Sequence, residues 1–128
     1  MIKLIIESND SNYEQSPKQL FNKIISKLRK YAKEHDCYMT IEKFGMYDNS
    51  GDIYLYITTN RTAISGSVQF TFKIEYGKSQ RSDWRTYFSV SGYSDSDIPT
   101  LDEEVFYSYE EAYEFILDYI IEYGNIDS

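Results

Sequence analysis

Apolar residues recur along this chain at two different spacings, and each spacing predicts a different kind of element. Leu20, Phe21, Ile24, Ile25, Leu28, Tyr31 and Ala32 fall three and four apart, the repeat that lines one side of an α-helix. Lys18, Lys23, Lys27, Arg29, Lys30 and Lys33 occupy the rest of that helix. The stretch SPKQ at 16–19 marks its start, with Ser16 as N-cap, Pro17 at the first helical position and Gln19 closing a capping box. A second helix is predicted from Ser108, with Glu111 three residues on as a further capping box, to Gly124 as the C′ residue. Its buried stripe is Ala112, Phe115, Ile116, Tyr119, Ile120 and Tyr123.

Between the helices the spacing drops to two. The segments 38–44, 53–59, 67–76 and 84–91 alternate apolar and polar, and each reads as a strand with one buried face. In the third, Val68, Phe70, Phe72, Ile74 and Tyr76 face inward, while Gln69, Thr71, Lys73 and Glu75 face out. In the second, Ile53, Leu55 and Ile57 face inward, which leaves Tyr54 and Tyr56 on the other side. The intervening stretches 48–52, 60–66 and 77–83 carry turn residues, and connections this short join antiparallel neighbours. IKLIIE at 2–7 reads as an initial strand, the polar stretch 8–15 as a loop, 92–104 as an acidic loop, and 105–107 as a short strand. The expected order is β-α-β-β-β-β-α. This is a single α+β domain over 1–128: a four- to five-stranded, mainly antiparallel sheet with two amphipathic helices packed on one face.

Composition narrows the setting. The chain has 128 residues and net charge −8, with 41% hydrophobic residues, enough to bury a core without a metal or disulfide. One cysteine makes no internal disulfide and fits a reducing compartment. There is no apolar run near membrane-spanning length and no basic-then-apolar leader, so a cytoplasmic protein with no membrane contact is expected. Fifteen isoleucines against three alanines suggest an AT-rich genome, as in a low-GC bacterium or its phage.

Known chemistry motifs fail on inspection. Gly77-Lys78-Ser79 has the tail of a phosphate-binding loop, but position 72 is Phe and a strand follows where a helix is required. The run from Asp48 to Asp52 lacks the ligand spacing of an EF-hand. His35 and Cys37 are single residues of their kinds, too few for a metal site and without a converging partner for a nucleophilic dyad. The acids of the 92–104 stretch have the chemistry to gather one divalent cation, but a solvated acidic loop is the simpler reading. The expectation is a non-enzymatic protein with no cofactor and no metal.

Charge is where the sequence is unusual. Residues 1–85 hold thirteen basic and ten acidic residues, net +3, whereas 86–128 hold eleven acids and no base, net −11. Within the last helix Glu110, Glu114, Asp118 and Glu122 repeat every fourth residue. Like charges at that spacing cost about 0.2–0.5 kcal/mol per pair. The helix dipole rewards acids in the first turn but not Asp118 or Glu122. With tyrosines interleaved, this is a plausible imitation of a nucleic-acid surface, because four residues of helix rise about 6 Å, comparable in scale to phosphate spacing. Asp95, Asp97, Asp102, Glu103, Glu104, Glu110, Tyr113, Glu114, Asp118 and Glu122 are the expected partner-binding residues.

In length, acidity, AT-rich composition and its tyrosine-bearing EEAYEFILDYIIEY helix, the chain resembles the small acidic anti-defence proteins of phages, including anti-CRISPR inhibitors. The resemblance implies a protein that occupies a basic groove of a nucleic-acid-handling protein and does not itself bind nucleic acid. Two alternatives share the profile. One is a toxin-immunity protein. The other is a small-molecule (nucleotide) sequestering protein with a pocket built from Tyr54, Tyr56, Arg61 and Trp84.

Overall fold

The computed structural model describes residues 15–59, 67–95 and 97–124. The strand expected at 2–7 therefore lies outside the described residues, as does the whole 60–66 turn with Arg61. The elements run α1 (Pro17–Glu34), β1 (Tyr38–Met46), β2 (Gly51–Thr59), β3 (Val68–Ser79), β4 (Arg85–Tyr93), β5 (Leu101–Phe106) and α2 (Tyr109–Gly124), with a short 3₁₀ turn at Gln80–Ser82. The five strands form one antiparallel meander in chain order, β1-β2-β3-β4-β5. The α+β class is as expected, but five strands, not four, separate the helices.

The extra strand is the correction. Leu101–Phe106 was expected mostly as acidic loop, yet it pairs with β4, Phe88 opposite Phe106 and Ser89 opposite Val105. Acids at 102–104 disguised it, because charge on a strand usually argues for a loop. An edge strand is the exception: charged side chains there discourage pairing with another chain's edge. A bulge lets Leu101 pair with Gly92 and Glu104 with Val90, two residues of β4 against three of β5. Gly92 sits at this irregularity, where a Cβ would meet Phe72 at 2.8 Å.

The start signal of α1 acts as the sequence proposes. Ser16 Oγ accepts from Gln19 N–H at 3.2 Å, and Gln19 Oε1 accepts from Ser16 N–H at 2.9 Å. Asp36, left-handed at φ 58, turns the chain out of α1, and Cys37 N–H reaches back to Ala32 C=O at 2.7 Å. At α2 Ser108 Oγ accepts from Glu111 N–H at 3.4 Å. Its hydroxyl donates to Glu110 at 3.0 Å.

Both helices cover the same sheet face. Period-two alternation puts Ile53, Leu55, Ile57, Phe70, Phe72, Ile74, Phe88 and Val90 beneath them, all fully buried. From α1, Phe21 stacks on Tyr76 with centroids 4.8 Å apart. The Tyr76 hydroxyl donates to Tyr47 C=O at 2.8 Å, which ties the β1–β2 turn to the core. From α2, Tyr119 meets the rings of Phe70 and Phe72 edge-on at 5.5 and 5.9 Å. Its hydroxyl donates to Pro99 C=O at 2.6 Å and anchors the β4–β5 connection. Each of these rings contributes about 1.5–3 kcal/mol of apolar burial, so loss of any one is felt.

Burial raises the phenols of Tyr31, Tyr76 and Tyr119 above the usual value of about 10. The native state thus holds these protons more tightly than the unfolded chain. The associated stability is fully present below pH 10 and is lost as pH rises through the native-state values. Thermal melts should accordingly hold steady to about pH 10 and fall steeply above it. Absorbance of ionised tyrosine should show a class that titrates only as the protein unfolds. An unchanged melting temperature well into strong alkali would contradict this.

Candidate interaction surfaces

Facing outward from α2 are Glu110, Glu111, Glu114, Asp118 and Glu122, all exposed. None of them forms an ion pair with a described lysine, although α1 packs alongside. Helical geometry gives the reason. Successive residues are turned by about 100°, so the row pointing at α1 is Tyr109 and Tyr113, one position before each acid. Lys23 Nζ lies 5.3 Å from the Tyr109 ring, and Lys27 Nζ lies 5.7 and 5.2 Å from the Tyr109 and Tyr113 rings. The tyrosines stand between the basic and acidic rows. The cations of α1 are met by ring faces, and the carboxylates remain turned to solvent.

Tyr113 is consequently placed apart from the acidic row, half-buried at the helix–helix seam. Burial, then the charges of Glu34 and Glu114, raise its phenol. Tyr123, T-shaped against Tyr119 at 5.2 Å, is raised by a hydrogen bond to Glu122. The C-terminal half of the row does meet a concavity. Asp118 and Glu122 line a groove of about 250 Å³ whose other walls are Pro99, Thr100, Leu101, Phe115, Tyr119 and Tyr123. Its floor is apolar and its rim carries two carboxylates.

The remaining acids are spread over three settings. Asp95 and Asp97 are exposed in the β4–β5 connection, where Ile98 N–H closes a turn on Asp95 C=O at 2.9 Å. Asp102 is exposed on the bulged part of β5. Glu104 pairs with Val90 and so projects on the helix-bearing side, whereas Glu103 lies on the opposite face and accepts from Ser89 Oγ at 2.5 Å. These acids thus do not all share the side of the sheet that bears α2.

The face of the sheet away from the helices is a second surface. It carries Tyr38, Phe44, Tyr93 and Val105, exposed by 71, 56, 55 and 50%, with Tyr54 and Tyr56 half-buried among them. Phe44 meets Tyr54 edge-on at 5.1 Å, and the Tyr56 hydroxyl donates to Glu42 at 2.9 Å. Lys73 pairs with Glu75 at 3.4 Å near its middle, and Arg85 stacks over Tyr107 at 4.9 Å. Of these, the sequence reading had placed Tyr54, Tyr56, Lys73 and Glu75 on this face. The signal for the rest was the same alternation, extended to Tyr38, Glu42 and Tyr93. Tyr54 and Trp84 do not line one concavity. Tyr54 is level with Lys73, whereas Trp84 adjoins Arg85, which pairs with Ser79, about 20 Å along the sheet. Neither described helix is long and apolar enough to cross a membrane.

No protein-family model, curated protein or solved structure matches the chain.

If the tyrosine row is what holds the α1 cations, Lys27→Gln should cost about 0.5–1 kcal/mol in urea denaturation. Lys30→Gln, exposed and without such a contact, should stay within about 0.5 kcal/mol of the parent. Tyr113→Phe keeps the ring and should preserve the Lys27 effect. Equal effects from Lys27 and Lys30 would refute the assignment.

Proposed function

We propose that this is a non-enzymatic binding protein that inhibits a nucleic-acid-handling protein, such as a CRISPR effector, by occupying a basic groove through an acidic surface. One observation carries the reading. The carboxylates of α2 are presented to solvent with no cation interposed, although a lysine-rich helix lies beside them. Repulsion within the row is retained where a seam of two tyrosines keeps the neutralising lysines on the other side. An acidic row kept free in this way suits a partner that brings its own cations. The groove at Asp118 and Glu122 suits an arginine or lysine side chain, whose apolar stem would lie on Phe115 and Leu101 while its charge meets the rim. Expressed in a bacterial cytoplasm, the protein would compete with the target's nucleic acid for the same cations.

Glu114→Lys combined with Asp118→Lys tests this. Repulsion in Glu110–Glu114 and Asp118–Glu122 becomes attraction while Glu114–Asp118 becomes a lysine pair, so the isolated protein should be as stable as the parent or up to about 1 kcal/mol more so. Capture of a nucleic-acid-binding protein from nuclease-treated bacterial lysate, identified by mass spectrometry, should be abolished. So should competition with that protein's own nucleic acid. Undiminished capture by a stable double variant would rule out this helix as the contact.

The protein itself should show no affinity for a random DNA duplex at about 0.15 M salt, because net charge −8 opposes the phosphate backbone. Micromolar binding in a gel-shift assay would transfer the active surface to the lysines of α1.

A further inference from the structure

The face of the sheet opposite the helices has no described element packed on it, and its side chains are not those of a merely solvated face. Large rings at Tyr38, Phe44 and Tyr93 are more than half exposed, while Thr71 and Ser89 are buried beneath their neighbours. We propose that this face is a homodimer interface, with the open sheets of two copies packed face to face about a twofold axis that crosses β3 between Lys73 and Glu75.

Three features select a second copy as the occupant. The first is charge. Lys73 and Glu75 lie on the central strand of the five, 3.4 Å apart and each less than half exposed. A twofold axis lying in the interface and crossing β3 at right angles reverses the strand direction. Lys73 then lies over Glu75 of the partner subunit, and the four charges alternate in sign. Opposite charges brought together in this way are attractive, whereas an axis running along β3 would set Lys73 and Glu75 each over its own counterpart and repel.

The second is the placement of the rings. Tyr93 is level with Thr71, and Tyr87 is level with Gly77, on the same face of β4. They stand at equal distances on either side of the axis, so it lays each over the other's counterpart and leaves Ser89 facing the partner's Ser91 between them. Aromatic pairs separated by small residues interdigitate where a uniformly bulky face would not.

The third is size. Five strands at about 4.8 Å and nine residues at about 3.3 Å give a face of roughly 600 Å² per copy. About 1,200 Å² in total reaches the range of specific protein–protein interfaces. Two open antiparallel sheets covered in this manner form a sandwich. The helix layers then lie on the two outer sides, so the acidic rows of α2 point away from each other. This inference rests on the sheet face alone and stands or falls without the reading of α2.

Sedimentation velocity on the purified full chain, over concentrations up to about 100 µM, provides the test. The parent should sediment at twice 15.1 kDa. Lys73→Glu and Glu75→Lys each make the four central charges alike and should sediment as monomers. An equimolar mixture of the two should return to the dimer, because each lysine again meets a glutamate. Tyr93→Asp, at an exposed position, should also be monomeric and serves if either charge variant melts early by circular dichroism. A monomeric parent would overturn the proposal. So would variants that remain dimeric, since the contact would then lie elsewhere, or a mixture that stays monomeric.

Discussion

Everything in this fold depends on one face of the sheet carrying the residues that are fully buried. Along β3 the alternation from Val68 to Tyr76 sends every large apolar residue to one face, and both described helices cover that face. Phe21 on Tyr76 and Tyr119 on Phe70 and Phe72 place α1 and α2 side by side over the central strands. Adjacent helices then have a seam, and the seam decides which residues of α2 are turned outward. The acidic row is exposed because the buried stripe and the Tyr109–Tyr113 row have already claimed the rest of the helix circumference.

The tyrosines serve two distinct purposes in this arrangement. Tyr76 and Tyr119 are core residues whose hydroxyls each tie down a loop, at Tyr47 and at Pro99. Such a residue fills space as phenylalanine would, and its one polar atom is satisfied at the edge of the core. Tyr109 and Tyr113 instead present ring faces to lysines. The high tyrosine content is thus spread among core, seam and open sheet face, and it does not mark a single binding site.

Much of the architecture was legible in the chain because it rests on local periodicity. The capping box at Ser16, the buried stripe of α1 and the inward residues of β2 and β3 follow from spacing alone. β5 was half legible: Val105 and Phe106 fell within the strand expected at 105–107, but Asp102, Glu103 and Glu104 imitate a loop, and the first part of the strand is recognisable only from its pairing with β4. The acids of the candidate surface were legible as a row, but the separate setting of Tyr113 was not. Which side of a helix meets a neighbour depends on where that neighbour lies, and sequence spacing does not encode it. The exposed face of the sheet was half visible: alternation identified its residues, but only the absence of a described covering layer made them a surface.

The two helices also run in the same direction. α1 ends beside Tyr38, which pairs with Thr58, and α2 ends with Gly124 against Thr59, so both carboxyl ends lie at one end of the sheet. Their peptide dipoles therefore add, where antiparallel neighbours would cancel. Glu122 reinforces the negative pole of α2, whereas Lys33 beside Glu34 offsets that acid at the end of α1. A molecule with such a permanent moment experiences a torque in any external field. As it diffuses toward a positively charged body, the summed helix dipoles favour approach by the end bearing Thr59 and Gly124. The fold thereby biases the angle of approach at distances where no side chain has yet touched anything, and added salt would remove that bias first.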